Sequence, residues 1–218
     1  MRQVSLPVEI FSEIIQNLDD RLDKSTIHSL SRCCLLLVPL CQCRIFHTIL
    51  WDSSGKYMDP TETHAKMMRL EENFRWSPHL ATYVRSLEIW LPDSRTSATP
   101  HPRFFQLLSK ITPSLTHVQM LKIFGTDIHS KDESYADWTL IRESLDPDAQ
   151  DSGIAIEKLL VGEHLRHLET RGILKFPFTL FMDRCRVVDV TDDCAYTIAI
   201  HTVEMFRDAS LSNAISSV

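Results

Sequence analysis

Leu6-Pro7-Val8-Glu9-Ile10-Phe11-Ser12-Glu13-Ile14-Ile15-Gln16-Asn17-Leu18 places a proline and two acids ahead of large apolar side chains that recur at helical spacing. Proline loses nothing at a first helical position, and acids suit the positive end of the helix dipole, so a helix is expected to start at Pro7. Ile10, Phe11, Ile14, Ile15 and Leu18 form its apolar stripe, and Asp19-Asp20 ends it. Ser25 suits the cap of a second helix with Ile27, Leu30 and Cys34 on one face. Pro39 suits the start of a third, carrying Leu40, Ile45, Phe46, Ile49 and Leu50. Three short helices within ~45 residues cannot cover so many large apolar groups among themselves. Part of that surface is expected to meet another protein; the alternative is that it packs onto the rest of the chain.

The whole chain has 218 residues, 44% hydrophobic and 24% charged, with 23 Lys and Arg against 29 Asp and Glu. That is the composition of a globular protein of one or two domains. A net charge of −6 gives no global basic field for nucleic acid or an anionic membrane. The longest apolar run, Cys33 to Cys41, is about half the ~20 residues a bilayer demands and contains Pro39. Glu9 and Glu13 fall where a secretory leader would be apolar, so a cytoplasmic or nuclear location and reduced cysteines are expected.

Beyond Trp51, residues 52–56 read as a turn or linker, and residues 59–76 as a helix ended by Pro78. Val84, Leu87 and Ile89 then fit the strand template Leu-x-x-Leu-x-Leu, and Val118, Leu121 and Ile123 fit it again. Leu165 and Leu168 fit in part; Cys185, Val188 and Val190 fit with conservative changes. Ile156, Leu159 and Val161 also match but crowd Leu165. Helices are expected at Phe104 to Ile111, Trp138 to Leu145 and Phe176 to Cys185, with a terminal helix in Ala195 to Val218. Strand–helix alternation suggests a curved parallel solenoid, although the steps between equivalent residues (87 to 121, 121 to 168, 168 to 188) are unequal. A generic α/β domain is the alternative.

Sites of chemistry are scarce. The five glycines are isolated, so no phosphate-cradling loop is expected, and no nucleophile elbow occurs. Cys33, Cys34, Cys41, Cys43, His28 and His47 lie in apolar helical sequence rather than in the loops zinc sites favour. His164 and His167 lack metallohydrolase spacing, and Asp189, Asp192 and Asp193 read as a strand end. No catalytic residue, metal or cofactor is assigned. Arg166, Arg171 and Lys175, within a basic cluster offset by Glu163 and Glu169, are candidate contacts to an acidic or phosphorylated target.

The first fifty residues resemble the F-box, the helical motif that docks onto the Skp-type adaptor of cullin–RING (SCF) ubiquitin ligases. Leu6-Pro7-Val8-Glu9-Ile10 is similar to its opening, Leu30-Ser31-Arg32-Cys33-Cys34 to its Leu-Ser-x-Val-Cys segment, and Pro39-Leu40-Cys41-Gln42 with Ile45-Phe46 to its third helix. Leu35 stands where the family often has a basic residue, and Leu37 where it has an aromatic. The resemblance implies that Leu6, Pro7, Ile10, Ile14, Leu18, Leu30, Cys34 and Leu37 face the adaptor, with Glu9 at the rim. Residues 79–89 and 165–169 resemble strands of fungal F-box proteins with degenerate leucine-rich repeats.

Together these readings give an α+β or α/β chain with a three-helix F-box over 1–50 and a linker and helix over 51–78. A short, irregular leucine-rich-repeat-like region follows over 79–192, with a tail or capping helix over 193–218. The implied function is that of a non-enzymatic substrate adaptor in an SCF-type ligase. Its partners would be the Skp-type adaptor and cullin, with an unknown protein target and neither nucleic acid nor membrane. The alternatives are an F-box scaffold outside a ligase and a small α/β enzyme.

Overall fold

The computed structural model describes residues 7–19, 22–52, 59–91, 103–125, 136–142, 147–177, 180, 187–191 and 198–200. It shows a mixed helix–strand chain: a small helical unit followed by a parallel sheet with helices packed along it.

The helical unit begins with α1 (Val8–Asn17), for which Pro7 is the N-cap residue rather than the first helical one. It continues with α2 (Lys24–Cys33), a 3-10 turn over Leu35–Leu37, and α3 (Val38–Ile45), with Pro39 in its first turn. Asp23 rather than Ser25 sits at the start of α2; its carboxylate accepts the Asp19 N–H at 2.9 Å and so braces the link from α1. The C-terminal end of α1 is tied to α3 by Arg44, whose Nε and Nη2 both donate to the Leu18 carbonyl, at 2.9 and 2.6 Å.

The third helix is shorter than its apolar pattern suggests. Ile49 and Leu50 belong instead to β1 (Thr48–Asp52), which crosses the boundary expected at residue 50. Then come α4 (Pro60–Trp76), β2 (Ser86–Trp90), α5 (Arg103–Ile111), β3 (Met120–Phe124), the two-residue β4 (Ala136–Asp137), α6 (Trp138–Arg142) and α7 (Pro147–Leu160). β5 (His167–Arg171), β6 (Ile173–Leu174), β7 (Val187–Thr191) and β8 (Ile198–Ile200) complete the order. α4 matches the expected 59–76 span because Asp59 caps it, accepting the Thr61 N–H at 2.7 Å, and Pro60 opens it.

The main sheet runs β1-β2-β3-β5-β7-β8, each strand joining the edge left by the one before. The first five strands are parallel; β8 pairs with β7 antiparallel. Ile198 is therefore in a strand, not in the terminal helix its spacing suggested; most of that expected helix, and most of Phe176 to Cys185, lie outside the described residues. Ile156 and Leu159 lie in α7, a helix that reading the template as strand did not anticipate.

In register, Ile49, Leu87, Leu121 and Leu168 form one row, and Trp51, Ile89, Ile123 and Thr170 the next. All eight are buried. Val84, Val118 and Leu165, each three residues before its strand's first core position, are buried too. The partial match at Leu165 and Leu168 is thus completed by Thr170, and Phe46-x-x-Ile49-x-Trp51 is a further copy of the template. Each unit is also stitched to the last by its backbone. The Arg85 and Ser86 amides donate to the His47 carbonyl, those of Gln119 and Met120 to Arg85, and those of Arg166 and His167 to Gln119. Met67 and Phe74 of α4, Phe104, Leu108 and Ile111 of α5, and Ile156 and Leu160 of α7 close the same core over this inward face. Leu108, Leu87, Ile89, Leu121 and Ile123 are fully enclosed.

Where β3 ends, a Cβ on Gly125 would fall 1.9 Å from the Gly172 carbonyl oxygen. Only glycine permits that approach, and Gly172 itself has φ 63°. The Gly125 amide donates to the Arg171 carbonyl at 2.8 Å, and the Ala136 amide to Gly172, which brings the short β4–β6 pair alongside the main sheet.

Candidate docking surface

The helical unit buries few side chains of its own. Ile15, Ile27, Leu37 and Cys41 form its core, with Phe11, Leu18, Leu30, Leu40 and Ile45 packed partly against them. Phe11, Ile15 and Leu18 turn inward from α1, whereas Ile10 is 41% exposed and Ile14, one turn on, 48%. Pro7, Val8 and Glu9 are exposed beside them. The link to α2 leaves Leu22 85% exposed, and the turn after α2 leaves Leu35 at 87% and Leu36 at 76%. No other stretch of the described residues exposes large aliphatic side chains so densely. Burying a fully exposed leucine is worth roughly 1.5–3 kcal/mol, so these groups hold a substantial unspent driving force.

The expected adaptor-facing set divides three ways. Pro7, Glu9, Ile10, Ile14 and Cys34 are exposed; Leu18 and Leu30 are half-buried against the small core; Leu6 lies outside the described residues. Leu37 is a correction: it is a core residue of the unit and supports the surface from beneath. A 3-10 turn has three residues per turn, so its side chains point in three directions, and here Leu37 takes the inward one. Leu22, Leu35 and Leu36 were not anticipated as surface groups. Nothing in a Leu-Leu-Leu run marks which member is buried.

The unit is seated on the sheet through α3. Phe46 and Phe74 rings lie 6.1 Å apart, and the Cys43 thiol and Tyr83 hydroxyl are hydrogen-bonded. Burial pushes the Cys43 thiol above its usual range, while Arg85 and the bond from Tyr83 pull it back; burial alone raises Cys41. Among the described residues Cys33, Cys34, Cys41 and Cys43 are free thiols, and no three His, Cys, Asp or Glu side chains gather as a metal site. No helix among those residues is long and apolar enough to cross a membrane.

The candidate target contacts do not form one patch. Arg166 precedes β5 and is exposed, whereas Arg171 ends it, about 17 Å further along an extended strand. Arg171 pairs with Glu169 at 2.8 Å and lies 6.0 Å from the Phe124 ring centroid. Lys175, at φ 56°, pairs with Asp137 at 2.9 Å. Two of the three expected cations are thus neutralised by acids of their own chain. The outward positions of the sheet form a self-paired network instead. Lys122 reaches Glu169 at 3.0 Å, the Trp90 indole donates to Glu88 at 2.8 Å, and the Trp90 and Phe124 rings lie 4.4 Å apart. Comparison with protein-family models, with curated proteins and with solved structures finds no match to this chain.

Proposed function

We propose that the chain is a non-enzymatic substrate adaptor of an SCF-type ubiquitin ligase, with an F-box in its helical unit and a leucine-rich-repeat-like solenoid in its sheet. The observation that carries the reading is the exposed aliphatic surface of residues 8–36 around a four-residue core. Such a surface is stabilised by a protein that covers it, and the resemblance of Leu6–Ile10 and Leu30–Cys34 to the F-box supports the Skp-type adaptor as that protein. Support for a solenoid comes from strands that join the sheet in chain order with the Leu-x-x-Leu-x-Leu rows in register. The adaptor's contribution to ubiquitin transfer is proximity: tethering a target raises the effective concentration of its lysines near the charged carrier.

Pull-down with purified Skp-type adaptor tests the reading. The intact chain is expected to bind, and Ile10→Asp or Ile14→Asp to reduce binding at least tenfold while circular dichroism stays unchanged. Absence of binding by the intact chain, or binding indifferent to both substitutions, contradicts it.

A further inference from the structure

A second feature lies away from the helical unit. α5 and α7 are clamped where the Ser152 hydroxyl donates to the Phe105 carbonyl at 2.6 Å, beside Gly153. Beyond the clamp, towards the C-terminal ends of both helices, lies a cleft of about 490 Å³. That volume falls within the ~300–1,000 Å³ typical of small-molecule sites. Its apolar wall is made by Leu115, Val118, Ile154, Ala155 and Leu159.

The two charged side chains that line it, Lys158 and Asp151, stand apart. Lys158 and His164 line the cleft at the exit of α7, and Asp151 lines it two helical turns earlier, about 10 Å along the axis. Lys158 is exposed and takes part in none of the ion pairs found among the described residues. His164 is held in place: its ring stacks on His117, centroids 4.9 Å apart and planes within 10°, and the His117 Nδ1 meets the Thr116 hydroxyl at 2.9 Å. The exit turn is tight: a Cβ on Gly162 would sit 2.9 Å from the Leu159 carbonyl oxygen.

We propose that this cleft binds a small organic anion with an apolar body, its carboxylate directed to Lys158 and His164 and its body laid against Leu115, Val118 and Leu159. Asp151 fixes the orientation by repelling the charged end from the opposite mouth. The site is independent of the docking surface, and its failure leaves that reading untouched.

The probe is 2-naphthoate titrated into the intact chain, followed by methyl NMR of Leu115, Val118, Ile154 and Leu159, with neutral 2-naphthamide as the control. Saturable shifts of those methyls are expected. Lys158→Gln is expected to weaken binding by roughly twofold to fivefold, the upper part of the range of an exposed charge pair. The amide is expected to bind correspondingly worse, and Ala155→Leu to abolish the shifts by filling the cleft. Absence of saturable shifts, or shifts confined to Leu35 and Leu36, overturns the site. Equal affinity for acid and amide, or for Lys158→Gln and the parent, overturns its preference for anions. Lys158 is on the surface, so that variant folds whether or not Ala155→Leu does.

Discussion

Among the described residues the helical unit encloses four core side chains, whereas the sheet and its helices enclose twenty-six in one continuous cluster. Exposure runs the other way: six large aliphatic residues stand out from residues 8–36, against Met68, Trp76, Val161 and Leu180 among the other described residues. Strands β1, β2, β3 and β5 each carry an inward row with helices to cover it, so the chain itself satisfies those rows. The helical unit has about thirty-eight residues, three short helices and more apolar stripes than faces to hide them. Self-sufficiency therefore depends on how many faces a region has to pack against, not on how apolar its sequence is.

One leucine substituted in each region gives the largest contrast in stability. Leu121→Ala, in the fully buried row of β3, is expected to cost about 2–5 kcal/mol in urea denaturation, from lost burial plus a cavity. Leu36→Asp, on the exposed turn, is expected to change stability by no more than about 0.5 kcal/mol. A large loss from Leu36→Asp means that the turn is covered by its own chain. Next in size, Arg44→Met removes both hydrogen bonds to the Leu18 carbonyl and is expected to cost about 1–2 kcal/mol, with α1 exchanging amide hydrogens faster than β2 and β3.

The smallest effects are those of pH, and they differ in direction between two carboxylates and the groups at the seam of the two regions. Hydrogen bonds from Thr61 hold the Asp59 carboxyl below its usual range; those from Thr139, then Lys175, do the same for Asp137. Their contribution is complete above the ordinary carboxylate value of about 4 and is lost as pH falls through the lower folded values. Cys41, Cys43 and Tyr83 are raised by burial, so their contribution is complete below the ordinary thiol and phenol values of about 8.5 and 10 and is lost as pH rises through the folded ones. NMR shifts are expected to change at Thr61 and Thr139 only on the acid side, and around Cys43 and Tyr83 only on the alkaline side. Coincident changes at all four would contradict these opposite directions.

Much of the sheet is legible in the sequence because Val84, Leu87, Ile89 and their counterparts sit at fixed offsets that a strand requires. α4 is legible for the same kind of reason, since Asp59-Pro60 is a local start signal and Pro78 a local stop. β1 is not. Phe46, Ile49 and Leu50 fit helical spacing as well as strand spacing, no glycine or proline marks the break at His47, and the decision rests on pairing with β2, nearly forty residues away. α7 hides in the same ambiguity, because Ile156, Leu159 and Val161 suit either period. Of the docking residues, Ile10 and Ile14 could be read from the helical period of α1. Leu37 could not, since its inward direction depends on a 3-10 turn that its neighbours' identities do not announce. The ion pairs of Arg171 and Lys175 were not legible for a further reason: Asp137 reaches Lys175, and Glu169 is turned to Arg171, only through the fold.

Amide hydrogen exchange of the chain, alone and with excess Skp-type adaptor, measures most directly whether the helical unit is finished by a foreign protein. Protection over residues 8–36, with β2 and β3 unchanged, is the expected result. Unchanged exchange over residues 8–36, or protection confined to the sheet, would contradict it.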